Sequence, residues 1–342
     1  MSDDTTTSET TATTFESPPS DSLSKPQLAI QSLSSILTTI PPSLSTTQNP
    51  SRSLLHDPDV SSQISTLLRL PNSGAGENNL CRWFYDTFQS TDPDLQLVVL
   101  RFLPIIAGLY LSRVSHRKPL AGFEAILLAL YAHETTTRGD QPVTVNIPDL
   151  SNPSIYHESK APVKNNSTGL NLTVISPILE RYGTVRSTRR AGIVGVALEL
   201  YYSKIFLMPV ESKIDFCEFC EIWAGQDGEM YKEDSADDCE NEDVEKEKKG
   251  KEKKGGRIPL PWELLQPILR ILGHCLLGPN KDKALFGAAS GACRSLYARC
   301  LHDINPKAIL AIGSLLRLGK IAMDDKSTVD YTEIPLADVI TI

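Results

Sequence analysis

Residues Leu95–Val114 read LQLVVLRFLPIIAGLYLSRV, the longest apolar run in the chain. A helix that crosses a bilayer needs about 20 predominantly apolar residues with few charges. Arg101 interrupts this run and leaves only Phe102–Leu111 unbroken. Pro104 brings no N–H donor, so a helix bends or breaks there. Apolar stretches of about 10–14 residues belong to buried helices rather than membrane spans. The run is therefore expected to be a core helix around which the others pack.

Upstream, residues 1–25 are rich in Ser, Thr and Pro and hold too little apolar surface to offset chain entropy, so they are expected to be disordered. Leu28, Ile30, Leu33, Ile36, Leu37 and Ile40 recur at helical spacing until Pro41-Pro42 stops them. A second helix is expected over Asp57–Leu70, capped by Asp57 or Asp59. A short aromatic helix follows over Leu80–Phe88.

Downstream, Lys118-Pro119 marks a break and Ala121–Tyr131 reads as another core helix. Val143, Val145 and Ile147 alternate with Thr144 and Asn146, the period of a strand. The loop that follows, PDLSNPSIYHE over 148–158, is stiffened by Pro148 and Pro153, and the polar stretch to Leu170 is expected to be mobile. Ile175–Tyr182 reads as a short helix and Thr188–Leu207 as a long one ended by Pro209, with Ser212 placed to cap the next. Residues 229–257 form a mixed-charge insertion, acidic then lysine-rich, of the kind that stays solvated. Three helical stretches close the fold. Ile258–Leu277 carries Pro267, which should kink or split it; Lys283–Leu301 is rich in Ala and Gly, as close helix approach requires; the last begins at Pro306.

The predicted architecture is mainly α: an irregular helical stack or bundle with a small β element near 143–147. Its domain spans 26–322, with an irregular tail over 323–342.

The chain has 342 residues, a net charge of −8 and a pI near 5.4. That balance opposes broad electrostatic binding to nucleic acid, which needs clustered Lys and Arg. The seven cysteines form no disulfide framework and read as reduced thiols of a cytosolic protein. The N-terminus lacks a secretory pattern, and its acids and missing arginines oppose organelle import. Neither end shows a lipidation motif, so any membrane association is expected to be peripheral.

Cys217-x-x-Cys220 is the one spacing suggestive of a metal site, yet a structural zinc wants four ligands and no second close pair exists. Both thiols share a helix face and are expected in the core. The six histidines make no ligand motif, and no GxSxG elbow, Walker A loop or kinase signature is present. No catalytic residue, cofactor or metal is expected.

Four collinear blocks resemble the hyccin family. They are Leu97–Pro104 with Phe123–Tyr131, the run VTVNIPDLSNPSIYHE over 143–158, the helix holding Cys217 and Cys220, and Arg257-Ile-Pro259 with the closing helices to Leu316. Together they cover about 57–320, and the second is the most specific. The charged insertion and extended N-terminus are similar to plant forms, and the long Ser-rich tail of animal members is missing. The resemblance implies a non-catalytic subunit of the plasma-membrane phosphatidylinositol 4-kinase complex, present in the cytosol and peripherally at that membrane. The implied partners are a tetratricopeptide-repeat protein, the type III alpha kinase and a lipidated membrane anchor protein. The residues expected to meet a partner are Ile147, Pro148, Pro153, Tyr156, His157 and Glu158. The alternative is a cytosolic enzyme or redox protein using Cys217 and Cys220 or the Tyr156-His157-Glu158 loop.

Overall fold

A computed structural model describes residues 24–116, 118–148, 170–180, 189–226, 228, 256–279 and 282–323. Within them lie thirteen α-helices and one two-stranded antiparallel sheet. The helices before the sheet are α1 (Lys25–Ser34), α2 (Ser43–Thr46), α3 (Pro50–His56), α4 (Pro58–Arg69), α5 (Asn79–Gln89), α6 (Pro93–Arg101), α7 (Leu103–Val114) and α8 (Ala121–Arg138). The strands are β1 (Val143–Pro148) and β2 (Leu170–Ser176). After them come α9 (Arg190–Ser203), α10 (Val210–Ala224), α11 (Trp262–Leu277), α12 (Lys283–His302) and α13 (Pro306–Met323). The fold is mainly α with a small β element, as the periodicity predicts.

Short polar side chains fix several helix starts. Asp57 accepts the Val60 N–H at 2.8 Å, so it and not Asp59 caps α4. Asp92 accepts from Asp94 and Leu95 at 2.9 and 3.1 Å, and Asp282 from Leu285 at 2.9 Å. Each such cap is worth about 1 kcal/mol.

The organising run is two helices, not one. α6 and α7 meet at Phe102 with a bend of 45°. Pro104 falls in the first turn of α7, where a missing N–H leaves no bond unmade. Every residue from Leu97 to Gly108 is buried. No single helix among the described residues is long and apolar enough to cross a membrane, and the bent pair that passes by length and composition is this protein-enclosed core. α7 packs on α4, α6, α8, α9 and α10, while α9 pairs with α11, α10 with α12, and α13 covers α11 and α12.

Arg101 sits at the break with its side chain only 4% exposed. Its guanidinium donates to the Leu55 carbonyl, lies 4.0 Å from Glu211 and stacks 5.7 Å from the Phe102 ring centre. Its carbonyl, freed by the break, accepts from Ser212 Oγ at 2.5 Å, and Tyr201 Oη lies 3.0 Å from the same hydroxyl. Ser212 is thus no cap: α10 already starts at Val210 after Pro209, and Ser212 is buried inside it.

Four further expectations change. α1 stops at Ser34 rather than Ile40, α8 continues to Arg138, and Lys25, counted with the disordered terminus, already belongs to α1. α11 runs unsplit through Pro267. Proline leaves the carbonyl four residues back without its helical donor. That carbonyl, Glu263 O, faces Gly195 of α9, where a Cβ would come within 2.5 Å of it. Only glycine lets the two backbones approach so closely.

The charged insertion is closed at its base. Arg299, buried on α12, donates to the carbonyls of Ala224 and Ile258, both at 3.2 Å, while Ile258 N–H donates to Trp223 O at 3.3 Å. Of the insertion itself, residues 229–255 lie outside the described residues, as do the N-terminal 1–23 and the tail 324–342.

Candidate interaction surfaces

β1 and β2 form a ribbon in register from Val143 opposite Ser176 to Pro148 opposite Leu170, with an irregularity between Val143 and Thr144. The second strand overturns the short helix expected from Ile175. Its signal was present: Leu170, Leu172 and Val174 alternate with polar Asn171 and Thr173.

The open end of the ribbon is tied to the helices by Arg138. This side chain donates to Ser176 Oγ at 2.9 Å, to Glu134 at 2.8 Å and to Glu199 of α9 at 2.8 Å. Beyond that anchor, both faces expose apolar groups. Val145 (42% exposed) and Ile147 (44%) occupy one, and Leu172 (66%) and Val174 (55%), opposite Asn146 and Thr144, occupy the other. A lone two-stranded ribbon is marginal in water, and among the described residues neither of its outer edges pairs with a further strand.

Two of the six residues expected at a partner contact are on this ribbon: Ile147, half-exposed, and Pro148, the last residue of β1. Pro153, Tyr156, His157 and Glu158 lie outside the described residues. The cysteine pair is in the core, as its spacing predicts. Cys217 and Cys220 are fully buried on α10. A hydrogen bond with Cys275 and then burial push the Cys217 thiol well up, and burial does the same to Cys220. Thiolate, not thiol, is the nucleophile. No group of three or more His, Cys, Asp or Glu among the described residues is arranged to hold a metal ion.

A second surface was not anticipated. An open groove of about 630 Å³ runs along α11, with Trp262, Leu269 and Leu277 beneath, Tyr202 and Phe206 on one side and Leu315 on the other. Phe206 is 73% exposed. Arg270 lies 4.2 Å from the Tyr202 ring centre, and Lys307 lies 5.1 Å from that of Trp262, both cation–π distances. His274 meets Phe206 edge to face at 4.7 Å, and burial with nearby Lys213 lowers its pKa. No Asp or Glu is among the described residues that line the groove.

A family model described as Hyccin matches residues 45–337. The chain belongs to the hyccin family.

The hyccin match takes in α3 to α13, the ribbon and the groove, and continues fourteen residues past Met323. α1 precedes it. The hyccin groove escaped sequence reasoning because Phe206, Trp262 and Leu315 come from three separate segments that only the packing of α11 against α9 and α13 brings together. Nothing in local periodicity marks a residue as half of such a wall.

Proposed function

We propose that this hyccin-family chain is a non-catalytic scaffold subunit of a phosphatidylinositol 4-kinase complex, stabilising it and helping to localise it at the plasma membrane so that phosphatidylinositol 4-phosphate is made there. Family membership supports the complex, and the apolar ribbon supports the scaffold role. Val145, Ile147, Leu172 and Val174 leave a marginal element with apolar groups in water, which a partner surface would cover. The occupant we assign is a tetratricopeptide-repeat protein, whose stacked helices offer an extended concave face. That protein would join this chain to the type III alpha kinase and to a lipidated membrane anchor. Buried, protonated thiols offer the redox alternative no nucleophile.

The test is co-purification from detergent-solubilised plasma membranes, using the intact chain and a Leu172→Asp/Val174→Asp variant. The intact chain should bring down kinase and repeat protein together. The variant, with unchanged circular dichroism, should lose the repeat protein. Recovery of neither by the intact chain would overturn the complex; full recovery by the variant would overturn the ribbon as its contact.

A further inference from the structure

We propose that the groove along α11 is the docking site for the chain's own C-terminal segment, residues 324–342. The segment reads DDKSTVDYTEIPLADVITI, with five acids (Asp324, Asp325, Asp330, Glu333 and Asp338) against one Lys326. Interleaved are Tyr331, Ile334, Leu336, Val339 and Ile340. The groove has the reciprocal chemistry, an apolar aromatic floor with Arg270 and Lys307 at its rings and no acid among the described residues of its lining.

Position agrees with chemistry. Met323, from which the segment departs, lines a small cleft of about 60 Å³ that shares Leu277 and Gly278 with the groove. From there the groove follows α11 back to Trp262, about 22 Å at 1.5 Å per residue. The eleven residues from Met323 to Ile334 reach about 36 Å when extended, enough to lay Ile334 and Leu336 anywhere along it. A tethered segment acts at an effective concentration of about millimolar, so even a weak contact is largely occupied. The family match extends to residue 337 and so includes Ile334, Pro335 and Leu336.

Trp262 reports on the groove directly, since Trp83 and Trp223 are buried and it is not. In the full chain, Ile334→Asp/Leu336→Asp should raise acrylamide quenching of tryptophan fluorescence without changing circular dichroism. In parallel, a labelled 324–342 peptide should bind saturably to the chain ending at Met323. Arg270→Glu in the chain, or Leu336→Asp in the peptide, should weaken that binding about tenfold or more. Unchanged quenching in the full-chain variant overturns the proposal, as does peptide binding indifferent to Arg270→Glu. If the shortened chain does not fold, the full-chain quenching decides alone. Neither readout involves the kinase complex, so failure here leaves the scaffold reading standing.

Discussion

Arg138 and Glu199 form a 2.8 Å ion pair in which each side chain is only 10% exposed. It joins α8 to α9, and the same guanidinium holds Glu134 and the end of the ribbon at Ser176. Removing one partner of a buried pair strands the other charge, at about 3–5 kcal/mol. Glu134 still compensates Arg138, so Glu199→Ala should cost about 2–3 kcal/mol, below that range. A urea midpoint shift at constant slope would show it. The ribbon should also lose hydrogen-exchange protection before the helices do.

Ser212 supplies the hydroxyl between Tyr201 Oη and the Arg101 carbonyl. Ser212→Ala leaves two buried polar groups unsatisfied, at about 1–3 kcal/mol. Tyr201→Phe removes one end alone and should cost about 1 kcal/mol. Equal losses for the two variants would refute the idea that the carbonyl at the helix break depends on Ser212.

Two glycines in helices should respond with opposite signs. Alanine is the better helix former by about 1 kcal/mol, so Gly287→Ala, with open space around it, should stabilise. Gly195→Ala puts a methyl against the Glu263 carbonyl, which cannot move without shifting α11, and should cost about 1–3 kcal/mol or more. Thermal melts of the two variants would show the contrast.

Burial pushes the thiols of Cys81 and Cys293 up to about 12 and that of Cys300 to about 11. In the unfolded chain these groups ionise near pH 8.5. Above that, the unfolded state binds fewer protons than the folded one, so stability is fully present below about pH 8.5 and falls as pH rises towards the folded values. Urea titrations at pH 7.5 and 10 should show the loss. A thiol reagent at pH 8 should leave these three unmodified until denaturant is added.

The sequence was most legible where a single residue type forces the backbone. Pro104 announced the division of the core run, Asp57 marked a helix start, and the 143–147 alternation marked a strand. Reading failed where the deciding contact was distant. Ser212 looks like a cap until Pro209 starts the helix earlier and Arg101, 111 residues back, claims its hydroxyl. Pro267 looks like a helix breaker until Gly195 gives its orphaned carbonyl room. The ribbon's first strand and Ile147 were visible in the alternation. Its second strand was hidden because Ile175 was grouped with the apolar residues after it instead of the alternation before it. The groove needed the α9–α11 pairing, which no local pattern contains.

The junction made by Arg299 has a consequence for how this protein can vary. Because Ala224 and Ile258 are held by one guanidinium, the helices around them do not register how much chain runs between. Loop-closure cost rises only logarithmically, about 0.6 kcal/mol for each doubling of length. The junction is therefore a port at which sequence can be lengthened, shortened or exchanged while the rest of the molecule stays as it is. A fluorescent reporter grafted at Asn241 should leave the melting of the helices within a few degrees of the parent, and Arg299→Ala should abolish that tolerance.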